Sequence, residues 1–158
     1  MPGLWYEEFA LGMEIAHPLG RTLTEADNVF FSTLTLNTQP LHLDAEFSKS
    51  SPFGQRLVNS MLTLACTAGM TVNETTLGTT LGNLGFEQIT FPNPVFHGDT
   101  IRITTEIVEK RESKSRPEAG LVKFRHIARN QRGEIVCDCR RTGLMLKRPT
   151  DVTKEDGQ

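Results

Sequence analysis

Apolar and polar positions divide the chain into an N-terminal half with helical spacing and a C-terminal half with strand spacing. Residues 14–22 read as a first strand. Thr24 then N-caps a helix, with Asp27 three positions on as a capping-box partner and Val29, Phe30 and Leu34 as its apolar side. Pro40 disfavours helical geometry just before it, so this helix should stop near Asn37. Asp44 is placed to cap a short helix through Phe47, and residues 50–54, Ser-Ser-Pro-Phe-Gly, read as a loop.

Residues 58–71 carry the strongest structural signal. Ser60, Thr63, Thr67 and Thr71 share one helical stripe, while Met61, Leu62, Leu64, Ala65, Cys66, Ala68 and Met70 fill the remaining circumference. A helix of that kind is buried, and something must wrap around it. Residues 79–91, 100–112, 121–130 and 134–147 are each long for strands and rich in β-branched side chains. Ile101, Ile103, Thr105 and Ile107 alternate with Arg102, Thr104 and Glu106, as in a half-buried strand. The run Asn130-Gln131-Arg132-Gly133 between two of these segments is a hairpin signal. The pattern predicts an α+β domain, a curved antiparallel sheet enclosing one long buried helix near residues 60–71.

A chain of 158 residues is one domain's worth, and folding at this size buries roughly 70% of the accessible surface without disulfides or metal. No repeat or linker interrupts residues 1–148. Residues 149–158, polar after a proline, read as a disordered tail. The 37% hydrophobic and 23% charged content suits a globular domain, and a net charge of −2 argues against a nucleic-acid partner. No apolar run is long enough for a membrane span, and the start Met1-Pro2-Gly3-Leu4-Trp5 lacks the marks of a signal peptide. Cys66, Cys137 and Cys139 are odd in number. The pair two apart on a strand has poor geometry for a bridge and no second Cys/His pair for zinc. Three reduced thiols and a cytoplasmic location are expected, with no metal and no cofactor.

The chemically suggestive stretch is Leu36-Asn37-Thr38-Gln39-Pro40-Leu41-His42-Leu43-Asp44. It resembles the D-x-N-P-L-H signature of the MaoC-like, (R)-specific enoyl-CoA hydratases, a family with the hotdog fold, in which a sheet wraps one long helix. Leu57-Val58-Asn59-Ser60-Met61-Leu62 is similar to that family's helix start. Leu84-Gly85-Phe86, Phe91-Pro92-Asn93-Pro94-Val95 and Gly98-Asp99-Thr100 resemble its next strand and turn. Four positions depart from the pattern. Asn37 stands at the catalytic Asp, Gln39 at the following Asn, Ser60 at the helix-start Gly, and Ala68 at a supporting Ser. Asn37 together with the basic run Lys110, Arg111, Lys114, Arg116 is similar to a branch that hydrates methyl-branched dicarboxylic enoyl-CoAs such as mesaconyl-CoA or itaconyl-CoA. Membership of that branch would make the missing Asp a subfamily trait.

Hydration of an enoyl thioester requires a base for the attacking water, a proton for the α-carbon and donors for the oxyanion on the thioester carbonyl. The resemblance implies His42 as base, Asn37 as the holder of water and the Ser60 backbone N–H as oxyanion donor. It also implies Gln39, Asn59, Arg111, Lys114 and Arg116 as substrate-binding residues, a small-molecule acyl-CoA substrate, and a homodimer or a larger homo-oligomer built from dimers. Plainer roles stand beside these: Asp44 as a cap, the threonine stripe as packing, and His17, His97 and His126 as structural or surface residues. A hotdog thioesterase and a non-catalytic acyl-CoA or acyl-carrier binding module are the competing functions. The Pro-Leu-His motif favours the hydratase, and no Glu or Asp stands at the head of the buried helix to serve hydrolysis.

Overall fold

The computed structural model describes residues 3–149. A 3-10 turn at Tyr6–Glu8 leads into β1 (Glu14–Thr22), and α1 (Glu25–Leu34), α2 (Pro40–Leu43) and α3 (Ala45–Lys49) follow. The central helix α4 (Ser60–Gly69) and a final turn α5 (Val72–Thr75) precede β2 (Thr80–Thr90), β3 (Thr100–Glu112), β4 (Ala119–Arg129) and β5 (Ile135–Leu146). The five strands form one antiparallel sheet in the order β1-β3-β4-β5-β2. Gly133 takes the left-handed conformation (φ 81°) that the β4–β5 hairpin turn needs. Gly120 on β4 lies under the Tyr6 ring, where a Cβ would meet ring carbon at 2.1 Å. The helix α4 packs on β4 and β5. This is the hotdog arrangement that the resemblance implies, although α4 has only ten residues before the chain turns into α5.

Local signals at the element ends hold. The Thr24 hydroxyl accepts the Asp27 N–H at 3.2 Å while the Asp27 carboxylate takes the Thr24 N–H at 2.9 Å. Asp44 accepts the Phe47 N–H at 2.9 Å, as a cap should. Helix α4 is capped by Asn59, whose Oδ1 accepts the Met61 N–H at 3.0 Å. The expected disordered tail lies, Pro149 apart, outside the described residues.

The inward side of α1 is not the one the periodicity predicts, and α4 is buried over less of its circumference than expected, although its threonine stripe packs inward as expected. On α1 the buried residues are Asn28 and Ser32, while Phe30 and Leu34 are about two-thirds exposed. On α4 the sheet covers Thr63 and Thr67, and Met61 stays 47% exposed. Thr67 donates its hydroxyl to the Thr63 carbonyl at 2.7 Å, so it buries no unpaired polar group and packs like a small β-branched residue. The sheet encloses α4 from one side only. Leu62 and Val58 point into the core with Leu23, Ile101, Ile103, Val136 and Cys137.

A second core, built from Tyr6, Phe9, Ile107, Val122, Phe124 and Met145, fills the other end of the sheet. Between the two runs a buried polar seam. Arg141 Nε lies 2.8 Å from His126 Nε2, His126 Nδ1 2.8 Å from Thr105 Oγ1, Thr105 Oγ1 2.8 Å from His17 Nε2, and His17 Nδ1 2.7 Å from Glu74. Arginine can only donate and a carboxylate can only accept, so every proton in the seam points from Arg141 towards Glu74. His126, which must accept at Nε2, is then neutral. Burial, followed by the Arg141 cation and His17, pushes His126 well below the usual histidine range.

Two outcomes follow from this packing. A histidine held neutral when folded but free to charge when unfolded gives up stability as pH falls below its unfolded pKa of about 6.5. The Tm should therefore drop between pH 7.5 and 5.5, and His126→Gln should flatten that slope even while lowering Tm overall; parallel slopes would contradict the assignment. Asn59→Ala, which removes the α4 cap, should cost roughly 0.5–2 kcal/mol in denaturant unfolding.

Candidate functional site

The segment between α1 and α3 is shaped by short-range bonds. Leu36 adopts a left-handed backbone (φ 56°), reversing the chain after α1, and the Asn37 N–H is donated to the Ser32 carbonyl at 2.8 Å. Asn37 Oδ1 accepts the Gln39 N–H at 3.1 Å, an Asx turn that delivers the chain to Pro40 at the start of α2. With its oxygen so engaged, the Asn37 side chain presents its NH2 group, a donor. The His42 N–H bonds back to the Gln39 carbonyl at 3.0 Å, and the Asp44 N–H to that of Pro40 at 2.8 Å. The histidine is therefore held on a single rigid turn.

The His42 ring is fixed as well. Nδ1 lies 3.0 Å from the Leu57 carbonyl, which can only accept. Nδ1 accordingly carries the proton, and Nε2 of the neutral ring keeps its lone pair. His42 lines a cavity of about 310 Å³ together with Phe53, Ser60, Thr63, Phe91 and Asn93. Among the described residues no other titratable side chain lines it.

The cavity also receives the head of α4. First-turn N–H groups lack intrahelical acceptors. Here the Met61 N–H goes to Asn59 Oδ1, and those of Leu62 and Thr63 go to the Asn59 carbonyl at 3.0 and 3.2 Å. Among the described residues the Ser60 N–H alone in this turn has no partner. It carries the positive end of the helix dipole beside the ring of His42.

Not every expected site residue comes to this cavity: Asn37 is not among the residues that line it. Asn59 is 2% exposed, and its side chain serves the α4 cap and Ser32 Oγ at 3.3 Å. Gln39 borders a separate hollow of about 490 Å³ with Leu41, Phe47 and Pro52. Arg111 lies at the far end of β3, beside an ion pair to Glu109 at 3.5 Å, and Arg116 pairs with Glu118 at 3.5 Å. The β4 partner of Arg111 is Leu121, seven residues along the strand from Ala128, which packs near Val136 at the cavity. At about 3.3 Å per residue, more than 20 Å separate the basic hairpin, Lys114 included, from His42 within one chain.

Other residues around the site escape the sequence reading. Asn28 is fully buried and bonded to the segments that carry His42 and Ser60. The one hint was the spacing of Asn28 and Ser32, four apart on a single face of α1. Asp99 in the Gly98-Asp99-Thr100 turn is structural. Burial alone would raise its carboxyl, but Arg132, the Phe96 N–H and Gln131 hold it below its usual range. Among the described residues no three His, Cys, Asp or Glu side chains are grouped to hold a metal ion, and no helix is long and apolar enough to cross a membrane.

Comparison with known proteins gives this geometry a setting. The chain is 33% identical over 153 residues to a mesaconyl-CoA hydratase of Haloarcula marismortui, covering 96% of this chain and 42% of that protein. It is 29% identical over 147 residues to a beta-methylmalyl-CoA dehydratase of Chloroflexus aurantiacus, covering 93% of this chain and 41% of that protein. The chain thus spans about two-fifths of the length of these curated relatives. The structure of a MaoC-like dehydratase from Rhodospirillum rubrum superimposes with a TM-score of 0.82 at 29% identity, covering 94% of this chain and 100% of that one. Residues 8–129 match the family described as MaoC like domain. With His42 and the head of α4 meeting at one cavity inside that matched region, the chain belongs to the MaoC-like domain family.

Proposed function

We propose that this domain hydrates or dehydrates an enoyl-CoA thioester. The observation that carries the reading is the His42 ring, whose Nδ1–H is bound to the Leu57 carbonyl so that a lone pair on Nε2 is available at the cavity that also receives the Ser60 N–H. In the hydration direction a water donates one proton towards His42 Nε2, with Asn37, five residues earlier and outside the cavity lining of one chain, proposed as its second holder. Its oxygen attacks the β-carbon as His42 takes the proton. The π electrons move through the α-carbon to the thioester oxygen, where the Ser60 N–H stabilises the charge. The imidazolium then returns its proton to the α-carbon, leaving His42 neutral and the substrate one water heavier. Dehydration is the same path reversed.

The substrate class proposed is a methyl-branched dicarboxylic acyl-CoA such as mesaconyl-CoA or itaconyl-CoA. The names of the two curated relatives support it, as does Asn37 in place of a carboxylate, which keeps a negative charge away from an anionic acyl group. Within one chain Arg111, Lys114 and Arg116 are too remote to read that group.

We also propose a homodimer. Strand β2 pairs only with β5 and leaves its other edge open, with Leu81, Leu84 and Phe86 exposed beside it. Met61, Phe30 and Leu34 add exposed apolar surface on the helical side. A long edge strand with apolar side chains favours pairing with another copy.

Incubation with mesaconyl-CoA and crotonyl-CoA, following both double-bond absorbance and free thiol, tests the reaction. Loss of the double bond without thiol supports hydration. Thiol release would make the domain a thioesterase, and binding with neither change would make it a carrier module. His42→Ala should lower kcat by roughly 10²–10⁴-fold. Asn37→Asp should move the ascending limb of the rate profile to higher pH, because a nearby carboxylate favours the imidazolium. Sedimentation should show a dimer, and Leu84→Lys on the open edge should shift it towards monomer; an unchanged sedimentation profile would remove β2 from the interface.

A further inference from the structure

Asn28 is fully buried on α1, yet its side chain reaches groups from three other segments. Its Oδ1 accepts the Asn59 N–H at 2.8 Å. Its Nδ2 lies 3.0 Å from the Leu57 carbonyl, 3.2 Å from the His42 carbonyl and 2.9 Å from His97 Nε2. The amide has one possible orientation, since the backbone N–H of Asn59 can only donate and the two carbonyls can only accept. The two N–H groups of the amide are shared among three acceptors, the third being His97 as a neutral ring with its lone pair on Nε2. Burial, reinforced by the Arg56 cation and opposed by Glu25, pushes His97 below its usual range and keeps that lone pair present at neutral pH.

The Leu57 carbonyl is shared. It accepts the Nδ1–H of His42 at 3.0 Å and the amide of Asn28 at the same distance. Asn59, held at its backbone by Asn28, is the cap that places Ser60 at the head of α4. One side chain thereby fixes the acceptor that orients the base and the residue preceding the oxyanion donor. We infer that Asn28 is a positioning residue for the proposed hydration, setting the spacing between His42 Nε2 and the Ser60 N–H without touching the substrate. This inference rests on the roles proposed above for His42 and Ser60. The requirement for Asn is chemical: Asp offers no donor to Leu57 or His42, and Leu offers neither donor nor acceptor. A displacement of about 1 Å between reacting groups is enough to cost on the order of 10²-fold in rate.

Asn28→Asp and Asn28→Leu in the full chain test this. Asn28 Nδ2 and His42 Nδ1 each lie 3.0 Å from one carbonyl oxygen, so they are no more than about 6 Å apart. A carboxylate at that range stabilises the imidazolium. Among the described residues no other charged side chain lines the His42 cavity, and the titratable group that faces Asn28 is His97, with Arg56 and Glu25 beyond it. The NMR titration of the His42 ring should therefore move to higher pH in Asn28→Asp. In both variants kcat should fall by on the order of 10²-fold with KM changed less than threefold, the mark of lost alignment in the transition state. Asn28→Leu, uncharged and similar in shape, gives that kcat reading even where Asn28→Asp fails to fold. A His42 titration unmoved in Asn28→Asp, or an Asn28→Leu protein that loses Tm but keeps kcat, would overturn the inference. The titration needs no turnover. If wild-type protein hydrates no enoyl-CoA, the proposed reaction falls while the titration still decides whether Asn28 governs His42.

Discussion

The Leu57 carbonyl is the point on which the site turns. Its two lone pairs receive one proton from the His42 ring and one from the Asn28 amide, so a single backbone oxygen joins α2, α1 and the approach to α4. Leaving such a group unpaired in the interior costs about 1–3 kcal/mol, and that penalty locks both donors in place. The segment is itself anchored: the Leu57 N–H goes to the Leu41 carbonyl at 2.9 Å and the Val58 N–H to the Val95 carbonyl at 2.8 Å. A bridge between Leu57 and Phe96 completes a miniature strand just ahead of the helix. The ring of His42 and the N–H of Ser60 are thus held by backbone bonds together with the buried amides of Asn28 and Asn59.

This anchoring depends in turn on the sheet. Helix α4 lies on β4 and β5, and the buried Thr67 hydroxyl is satisfied by the Thr63 carbonyl one turn back, which permits close approach there without an unpaired group. Towards the other end the seam from Arg141 to Glu74 crosses the inner face and divides the two cores. Adding a proton to His126 sets an N–H at Nε2 against the Arg141 donor and breaks that bond. The seam lies away from the residues that line the His42 cavity, so the acid sensitivity predicted from it is separate from the chemistry of the site.

The strands, the caps at Thr24 and Asp44, and the hairpin at Gly133 were legible because their causes are local: alternation, side-chain capping and a positive φ. Asn59, expected to bind substrate, caps α4 instead. The motif around His42 was legible by resemblance. The threonine stripe of α4 was legible as packing, but the inward face of α1 was not. Phe30 and Leu34 point outward in one chain, and the residues that pack inward are Asn28 and Ser32. Their partners, the Asn59 amide and the Leu57 carbonyl, are distant in sequence and so leave no local signal. Arg111, Lys114 and Arg116 show the same limit from the other side, since charge and motif give no information about which end of a sheet a hairpin occupies.

The central claim is that Leu57 holds His42 in the tautomer that leaves Nε2 free as a base. Nitrogen NMR of the His42 ring in protein labelled at histidine, recorded above the pH at which the ring is neutral, tests this without substrate. The account predicts a protonated, pyrrole-like Nδ1 and a bare, pyridine-like Nε2. A ring carrying its proton on Nε2, or exchanging freely between the two forms, would contradict it.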